Sequence, residues 1–265
     1  MNKSEILTKY TKQDDKLLVS RLIDKIEQAN KTNKITYTDF LNSYEKNITL
    51  KILLKENINY IFYGGYEGAE REICIIYPQK FTKEIVIENI KNEIKIIRII
   101  LPNMLKGKYM HKDYLGGLMK LGIKREKLGD IIVDDNGADI IVKNEMTTYV
   151  ENEIKKLTRF SKSKITIENI ENIKTIQKEM KELEVIVSSL RLDCIVSELA
   201  GTSRSKANEI IREQRVFINY ETEENNSRTL KEGDILTIRG KGKFIVDNVS
   251  GYTKKNKIVL RILQY

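Results

Sequence analysis

The string Ser203-Arg204-Ser205-Lys206, with Arg212 and Arg215 downstream, has the residue types and spacing to hold phosphate. Ser203 is placed to N-cap a helix over RSKANEIIREQR. Free N–H groups at such a helix start, beside the Ser203 and Ser205 hydroxyls, can cradle an anion. Arginine suits bidentate phosphate contact and lysine acts as a point charge. Further on, Arg239, Lys241 and Lys243 form RGKGK, where Gly240 and Gly242 let the backbone approach a phosphate chain. From Arg239 to Arg261 there are seven basic residues and one acid, Asp247. Any one of these can be an inert surface side chain; the set is harder to dismiss.

Other strings suggest enzyme chemistry and do not sustain it. Arg159-Phe160-Ser161-Lys162-Ser163 resembles the KMSKS loop of class I aminoacyl-tRNA synthetases, but no HIGH-like motif precedes it. The nucleotide-binding βαβ units of such a fold are missing too. It reads as a basic helix end plus linker. Arg191-Leu192-Asp193 resembles the RLD string of pseudouridine synthases, without the synthase domain that should follow. Asp193 reads instead as a group that orients Arg191 or a turn. Gly64-Gly65 and Gly116-Gly117 make no GxGxxG loop. The single histidine, His111, has no Ser or Cys partner nearby and is a poor catalytic candidate. Glu67 and Glu70 flank a glycine turn with no substrate pocket indicated. Neither cofactor nor metal is expected, and the reading is a non-enzymatic binding protein.

The whole chain agrees with an anionic partner. Its 265 residues carry 47 Lys and Arg against 38 Asp and Glu, a net charge of +9. Cys74 and Cys194 lie far apart in apolar stretches and read as core residues of a reducing cytosol. The N-terminal segment has no apolar run of signal-peptide type, and IIRIIL at 96–101 is too short to span a bilayer. No membrane insertion is expected. A surface with dense mixed charge is expected to keep the chain a monomer when it is unbound.

The elements must place these groups. Residues 14–30 predict a helix with Leu17, Leu18, Leu22, Ile23 and Ile26 on one stripe. Thr38 is the N-cap candidate for a second helix over DFLNSYEKN. YIFY and ICIIY predict strands around the Gly64-Gly65-Gly68 turn. Residues 1–85 form a small α+β domain on this reading. Residues 86–170 then run strand, helix, hairpin at Asn136-Gly137, helix, strand. This β-α-β-β-α-β order is the split βαβ arrangement, ferredoxin-like and RRM-like. The aromatic residues that stack bases in RNA-recognition domains are absent from its strands. If it touches RNA it does so through charge, and Arg98 to Lys127 holds eight basic residues against two acids. The charged stretch 174–187 leads to a last domain, 182–265, of two short helices and a small sheet. The fold class is α+β.

Here the residues match a family pattern. Arg191-Leu192-Asp193, Ser203-Arg204-Ser205 with Ala207, then Ile211, Val216, Asn219 and Gly233-Asp234 resemble the S4 RNA-binding domain. Gln214 and Tyr220 stand where many members have glycine. The resemblance implies RNA contact at Arg191, Ser203, Arg204, Ser205, Lys206, Arg212, Arg215, Asn219, Arg239, Lys241 and Lys243. FYGGYEGAER at 62–71 and HKDYLGGLMKLGIKREKLGDI at 111–131, ahead of that domain, resemble the YlmH family of bacteria. That resemblance implies a cytoplasmic, ribosome-associated protein acting in quality control of stalled nascent chains. Its implied partners are large-subunit ribosomal RNA and tRNA, with ribosomal protein or tRNA facing the N-terminal domain; a link to cell division is also attached to the family. His111, Lys112, Lys124, Arg125 and Lys127 are expected to form a second RNA surface in the middle domain. Two alternatives stand beside this reading: an RNA-modifying enzyme with an S4 targeting domain, and a cell-division scaffold with incidental RNA binding.

Overall fold

The computed structural model describes residues 2–174 and 180–265. The chain divides into two compact units, 1–176 and 177–265.

The first unit opens with α1 (Lys3–Thr8) and α2 (Gln13–Thr32), whose Val19, Leu22, Ile23 and Ile26 are buried at helical spacing. The expected helix from Thr38 is not there. Residues Thr36–Leu41 form strand β1, paired antiparallel with β3 (Glu72–Tyr77), and the helix α3 begins at Ser43 and ends at Leu53. TYTDFL is rich in β-branched and aromatic side chains, which suit a pleated surface. The Thr38 hydroxyl accepts from the Cys74 N–H at 2.9 Å. The cap lies four residues on: Asn42 accepts from Glu45 N–H, and Glu45 accepts from Asn42 N–H, a capping box. Strand β2 (Asn59–Tyr63) completes a sheet of order β1-β3-β2.

A helix unforeseen in the sequence, α4 (Lys83–Glu93), follows, capped by Thr82. It runs directly into β4 (Ile94–Ile100). Then come α5 (His111–Lys120), β5 (Leu128–Asp134), β6 (Gly137–Lys143), α6 (Thr147–Lys156) and β7 (Lys164–Asn169). The sheet order is β5-β6-β4-β7, all antiparallel, which is the split βαβ topology. Gly137 turns the hairpin at φ 150°, and a Cβ there would lie 1.8 Å from the Ile99 carbonyl oxygen.

Both faces of this sheet are covered. On one, Ile97, Ile99, Ile140 and Val142 pack with Tyr114 and Leu118 of α5 and Val150 and Ile154 of α6. On the other, Ile94, Ile96 and Ile141 join Phe40, Ile73 and Ile75 of the first sheet, with Val86 and Ile90 of α4. The stretches 1–85 and 86–170 therefore share a core.

A polar seam closes this junction. Asp130 is buried and its carboxylate accepts from Tyr66 Oη (2.8 Å), Glu70 N (2.7 Å) and Arg71 N (3.1 Å). Arg71 is also buried and donates to the carbonyls of Leu128 (3.1 Å) and Phe40 (2.7 Å). Gly65 and Gly129 permit close approach, since a Cβ on either would strike Ile170 or Phe40 at under 3 Å.

The second unit is a six-stranded antiparallel sheet of order β10-β9-β11-β12-β13-β8. Its strands are β8 (Lys181–Val187), β9 (Val216–Ile218), β10 (Glu221–Thr222), β11 (Ile235–Ile238), β12 (Gly242–Tyr252) and β13 (Ile258–Gln264). Helices α7 (Leu192–Ala200) and α8 (Arg204–Arg212) pack on one face through Ile195, Val196, Ala207 and Ile211. Of the charged stretch 174–187, residues 175–179 lie outside the described residues. Its end is β8, paired with β13 along its whole length. Cys74 and Cys194 are both buried and free, as expected of core residues.

The seam predicts the first mutant. Asp130→Ala strands the buried Arg71 N–H and the half-buried Glu70 N–H and Tyr66 hydroxyl, a cost of about 2–4 kcal/mol. Thermal unfolding should shift down by roughly 5–15 °C for a unit of this size. An unchanged melting temperature would show that the first unit does not depend on the seam.

Candidate nucleic-acid interface

Ser203 caps α8 by accepting from Lys206 N–H at 3.2 Å. Gly201, in the left-handed region at φ 62°, ends α7 and turns the chain into it. At this junction Asp193, 2% exposed, gathers two arginines. Arg191 donates to it through Nε (3.1 Å) and Nη2 (3.0 Å), and Arg204 through Nε (2.9 Å). Burial alone would raise the Asp193 pKa; the hydrogen bonds and charges of Arg191 and Arg204 outweigh it and bring it to about 2. The carboxylate thus fixes two guanidiniums whose outer parts remain exposed, beside the exposed Ser203 and Ser205. Arg212 is exposed at the far end of α8, and Lys206 pairs with Glu209 on the helix surface.

The other expected residues lie around the β9, β11 and β12 strands. Arg215 pairs with Glu213 at 3.2 Å and donates to the Arg239 carbonyl at 3.3 Å. Arg239 lies 5.0 Å from the Phe217 ring centroid. Lys243 sits 5.1 Å from the Tyr220 ring and 4.4 Å from the Tyr265 ring. Lys241 is exposed in the β11–β12 turn. Asn219 differs from expectation. Its amide donates to Asp234 at 2.8 Å and its oxygen accepts from Ile235 N–H at 2.9 Å, so it ties two turns together. Gln214 and Tyr220, the positions where glycine was expected, lie at φ 56° and 70°, the region glycine adopts without strain. The sequence reading overlooked Phe217, Tyr220 and Tyr265, which share a site only once the strands pair.

In the first unit the five expected residues separate. Lys112 and Lys124 are exposed, and exposed His111 begins α5. Arg125 and Lys127 turn inward. Arg125 donates to the carbonyls of Leu128 and Gly129, both at 2.8 Å, and burial beside Arg71 lowers its pKa to about 10. Lys127 pairs with Asp39 at 2.8 Å, as does Lys143 at 2.9 Å. Burial raises the Asp39 pKa, but these two lysines more than reverse it. Asp39 and both lysines line a groove of about 760 Å³ between α2, β1 and residues 126–145. Arg21 pairs with Glu126 as well, and with six acidic and four basic residues in its lining the groove is not a basic wall. The synthetase-like string is structural as well: Phe160 is buried with its ring 5.0 Å from that of Tyr114, and Arg159 donates to the Asp113 carbonyl at 3.0 Å. No helix among the described residues is long and apolar enough to cross a membrane, and these residues hold no metal-ligand cluster.

This architecture defines a class: an α+β protein that ends in an S4 RNA-binding domain, and the S4 family model matches residues 190–236. Two further models match, "YlmH, N-terminal" over 14–81 and "Putative RNA-binding domain in YlmH" over 88–174. The chain belongs to the YlmH family. It is 27% identical over 256 residues, 94% of each chain, to "Ribosome-associated protein quality control protein P2" of Bacillus subtilis (strain 168). The solved "Cell division protein ylmH from Streptococcus pneumoniae" is 20% identical with a TM-score of 0.49, covering 62% of this chain and 98% of that one. Two of the three matched models are those of RNA-binding domains.

The Asp193 carboxylate carries a pH signature. Its folded pKa lies below the ordinary value of roughly 3.9, so its contribution is complete above about pH 4 and is lost as pH falls through about 2. Asp193→Asn should melt below the wild type at pH 7, with the gap closing between pH 4 and 2. A gap of constant size across that range would mean that the charge of Asp193 is not what holds the arginines.

Proposed function

We propose that this protein binds structured RNA of the large ribosomal subunit together with tRNA, in the cytoplasm, and acts without catalysis in the handling of stalled nascent chains. The observation that carries this reading is the preset cluster at the start of α8: two arginines fixed by Asp193 beside the Ser203 cap and exposed Ser205. Cations held in place before binding lose little freedom on meeting phosphate. Free N–H groups at the helix start add donors to the same place. Arg212, Lys206, Arg215 and Lys241 widen the basic field, and the name of the Bacillus relative supports the ribosomal setting.

Lys112, Lys124 and His111 would offer a secondary contact in the first unit, smaller than the sequence suggested because Arg125 and Lys127 are turned inward. The face of the split βαβ sheet turned away from α5 and α6 would not serve, since Ile96 and Ile141 are buried there. The N-terminal sheet would meet ribosomal protein or tRNA with its remaining surface.

Co-sedimentation with separated subunits and tRNA across a salt series tests the proposal. Large-subunit binding should weaken with salt at about −0.7 to −0.9 in log–log slope per neutralised phosphate. Arg212→Glu with Lys241→Glu should cut affinity at least about tenfold and flatten the slope by about 2. Lys55→Glu, an exposed control in the first unit, should leave both unchanged. Binding that ignores salt and the double substitution would overturn the S4 anchor and favour a scaffold role.

A further inference from the structure

The second face of the C-terminal sheet is built differently from the first. Helices α7 and α8 cover Val216, Ile218, Leu236, Ile238, Phe244 and Val246. Side chains pointing the other way stay half-exposed, among them Phe217, Ile235, Ile245 and Leu263. The strand register draws one row across this face: Thr222, Phe217, Thr237, Lys243, and Tyr265 at the end, whose N–H bonds to the Lys243 carbonyl. The row holds no acid. Neighbouring strands are about 4.8 Å apart, so Phe217 and Lys243, two strands apart, lie roughly 10 Å from each other.

Two cations, Lys243 on this row and Arg239 beside it, rest on rings. The Arg239 guanidinium lies over Phe217 at 5.0 Å, anchored by a backbone carbonyl that accepts from Arg215. Lys243 lies between Tyr220 and Tyr265. Tyr220 holds this place at φ 70°, in a backbone region unfavourable for a tyrosine. Tyr265 is 41% exposed. A surface that met only the phosphate backbone would need the charges and not the rings. A guanidinium over an aromatic ring puts a cation and a π-face side by side, the two kinds of group on which unpaired bases are held.

We propose that the Phe217–Arg239 cation–ring pair and the Tyr220–Lys243–Tyr265 cluster form a platform for unpaired RNA bases, on the sheet face away from the α8 phosphate cluster. It rests on the RNA-binding reading above and adds to it a preference for a single-stranded, base-bearing segment, such as a loop or flanking strand, next to the structured element that α8 grips. The rings orient the cations, the cations neutralise the phosphates on either side of a flipped base, and half-exposed Ile235 and Ile245 extend the apolar floor.

The chain contains no tryptophan, so Tyr265→Trp makes a single-tryptophan reporter on the full-length protein. The probes are a ten-nucleotide oligouridylate, an abasic oligomer with the same number of phosphates, and a hairpin of the same RNA chemistry with a uridine loop. Stacking predicts quenching of the reporter by oligouridylate and by the hairpin, and an affinity for the abasic oligomer lower by about 5- to 100-fold. Phe217→Leu with Tyr265→Ala should bring the base-bearing oligomer down to the abasic level while leaving the salt slope unchanged; circular dichroism checks that the sheet survives, and Tyr265→Ala alone, at the chain end, serves if the double variant unfolds. Equal affinity for abasic and base-bearing oligomers, with no quenching, would overturn the platform and leave the phosphate reading standing. Failure of all three probes to bind would overturn the RNA-binding reading itself.

Discussion

The first unit depends on one constraint: the split βαβ sheet is buried on both faces. In a free-standing domain of this topology one face is open. Here Ile96 and Ile141 meet Phe40, Ile73 and Ile75 of the N-terminal sheet, with α4 wedged alongside. Apolar burial of this kind is non-directional, so by itself it would not fix how the sheets meet. Asp130 supplies direction, because its carboxylate accepts from three donors on the 66–71 loop, and Arg71 answers with a bond to the Leu128 carbonyl across the junction while a second bond ties it to Phe40 on its own side. The two long motifs that carried the family resemblance are therefore read most simply as the two sides of one lock. Tyr66, Glu70 and Arg71 belong to the first motif, Asp130 and Gly129 to the second.

The same logic recurs in the second unit with a different outcome. Asp193 is as buried as Asp130, but its donors are side chains that point outward. A buried carboxylate that binds backbone N–H groups makes structure. One that binds arginine leaves the unused donors of each guanidinium available and correctly aimed. This distinction separates the expected site residues more sharply than charge does. Arg191 and Arg204 are fixed yet exposed, Arg125 and Lys127 are fixed and turned inward, and Asn219 is spent on Asp234 and Ile235.

Much of the fold was legible because local signals agreed. The α2 helix, the Asn136-Gly137 hairpin, the order of the split βαβ elements and the Ser203 cap each follow from residues close in sequence, although Leu17, expected on the α2 stripe, is exposed and Val19 is buried instead. The errors share a cause. Thr38 has a capping side chain, yet its hydroxyl serves the Cys74 N–H, and the decision lay with β3 some thirty-five residues away. The helix α4 has only Val86 and Ile90 fully buried, too narrow a stripe to stand out among its charges. Strand β8 is charged and exposed along much of its length and exists because β13 pairs with it. At the candidate site the cations were legible from composition. Which of them are free was not, since that depends on acids such as Asp39 that only the packed sheets bring near.

The aromatic residues of the second unit carry this argument one step further. Phe217 and Tyr220 lie three residues apart, while Tyr265 is remote from both in sequence. Antiparallel pairing through β9, β11 and β12 sets Phe217, Lys243 and Tyr265 in one row, with Arg239 over Phe217 and Tyr220 beside Lys243. The middle sheet, which has the topology of an RNA-recognition domain, lacks surface aromatics and has that face buried. The sheet that has half-exposed aromatics beside cations lies in the other unit. Topology alone would have put base recognition in the first unit; the chemistry of the exposed side chains puts it in the second. Within one chain, a fold and the surface usually associated with it have come apart, and the physical requirement, an accessible ring beside a cation, is the better guide to where an unpaired base could bind.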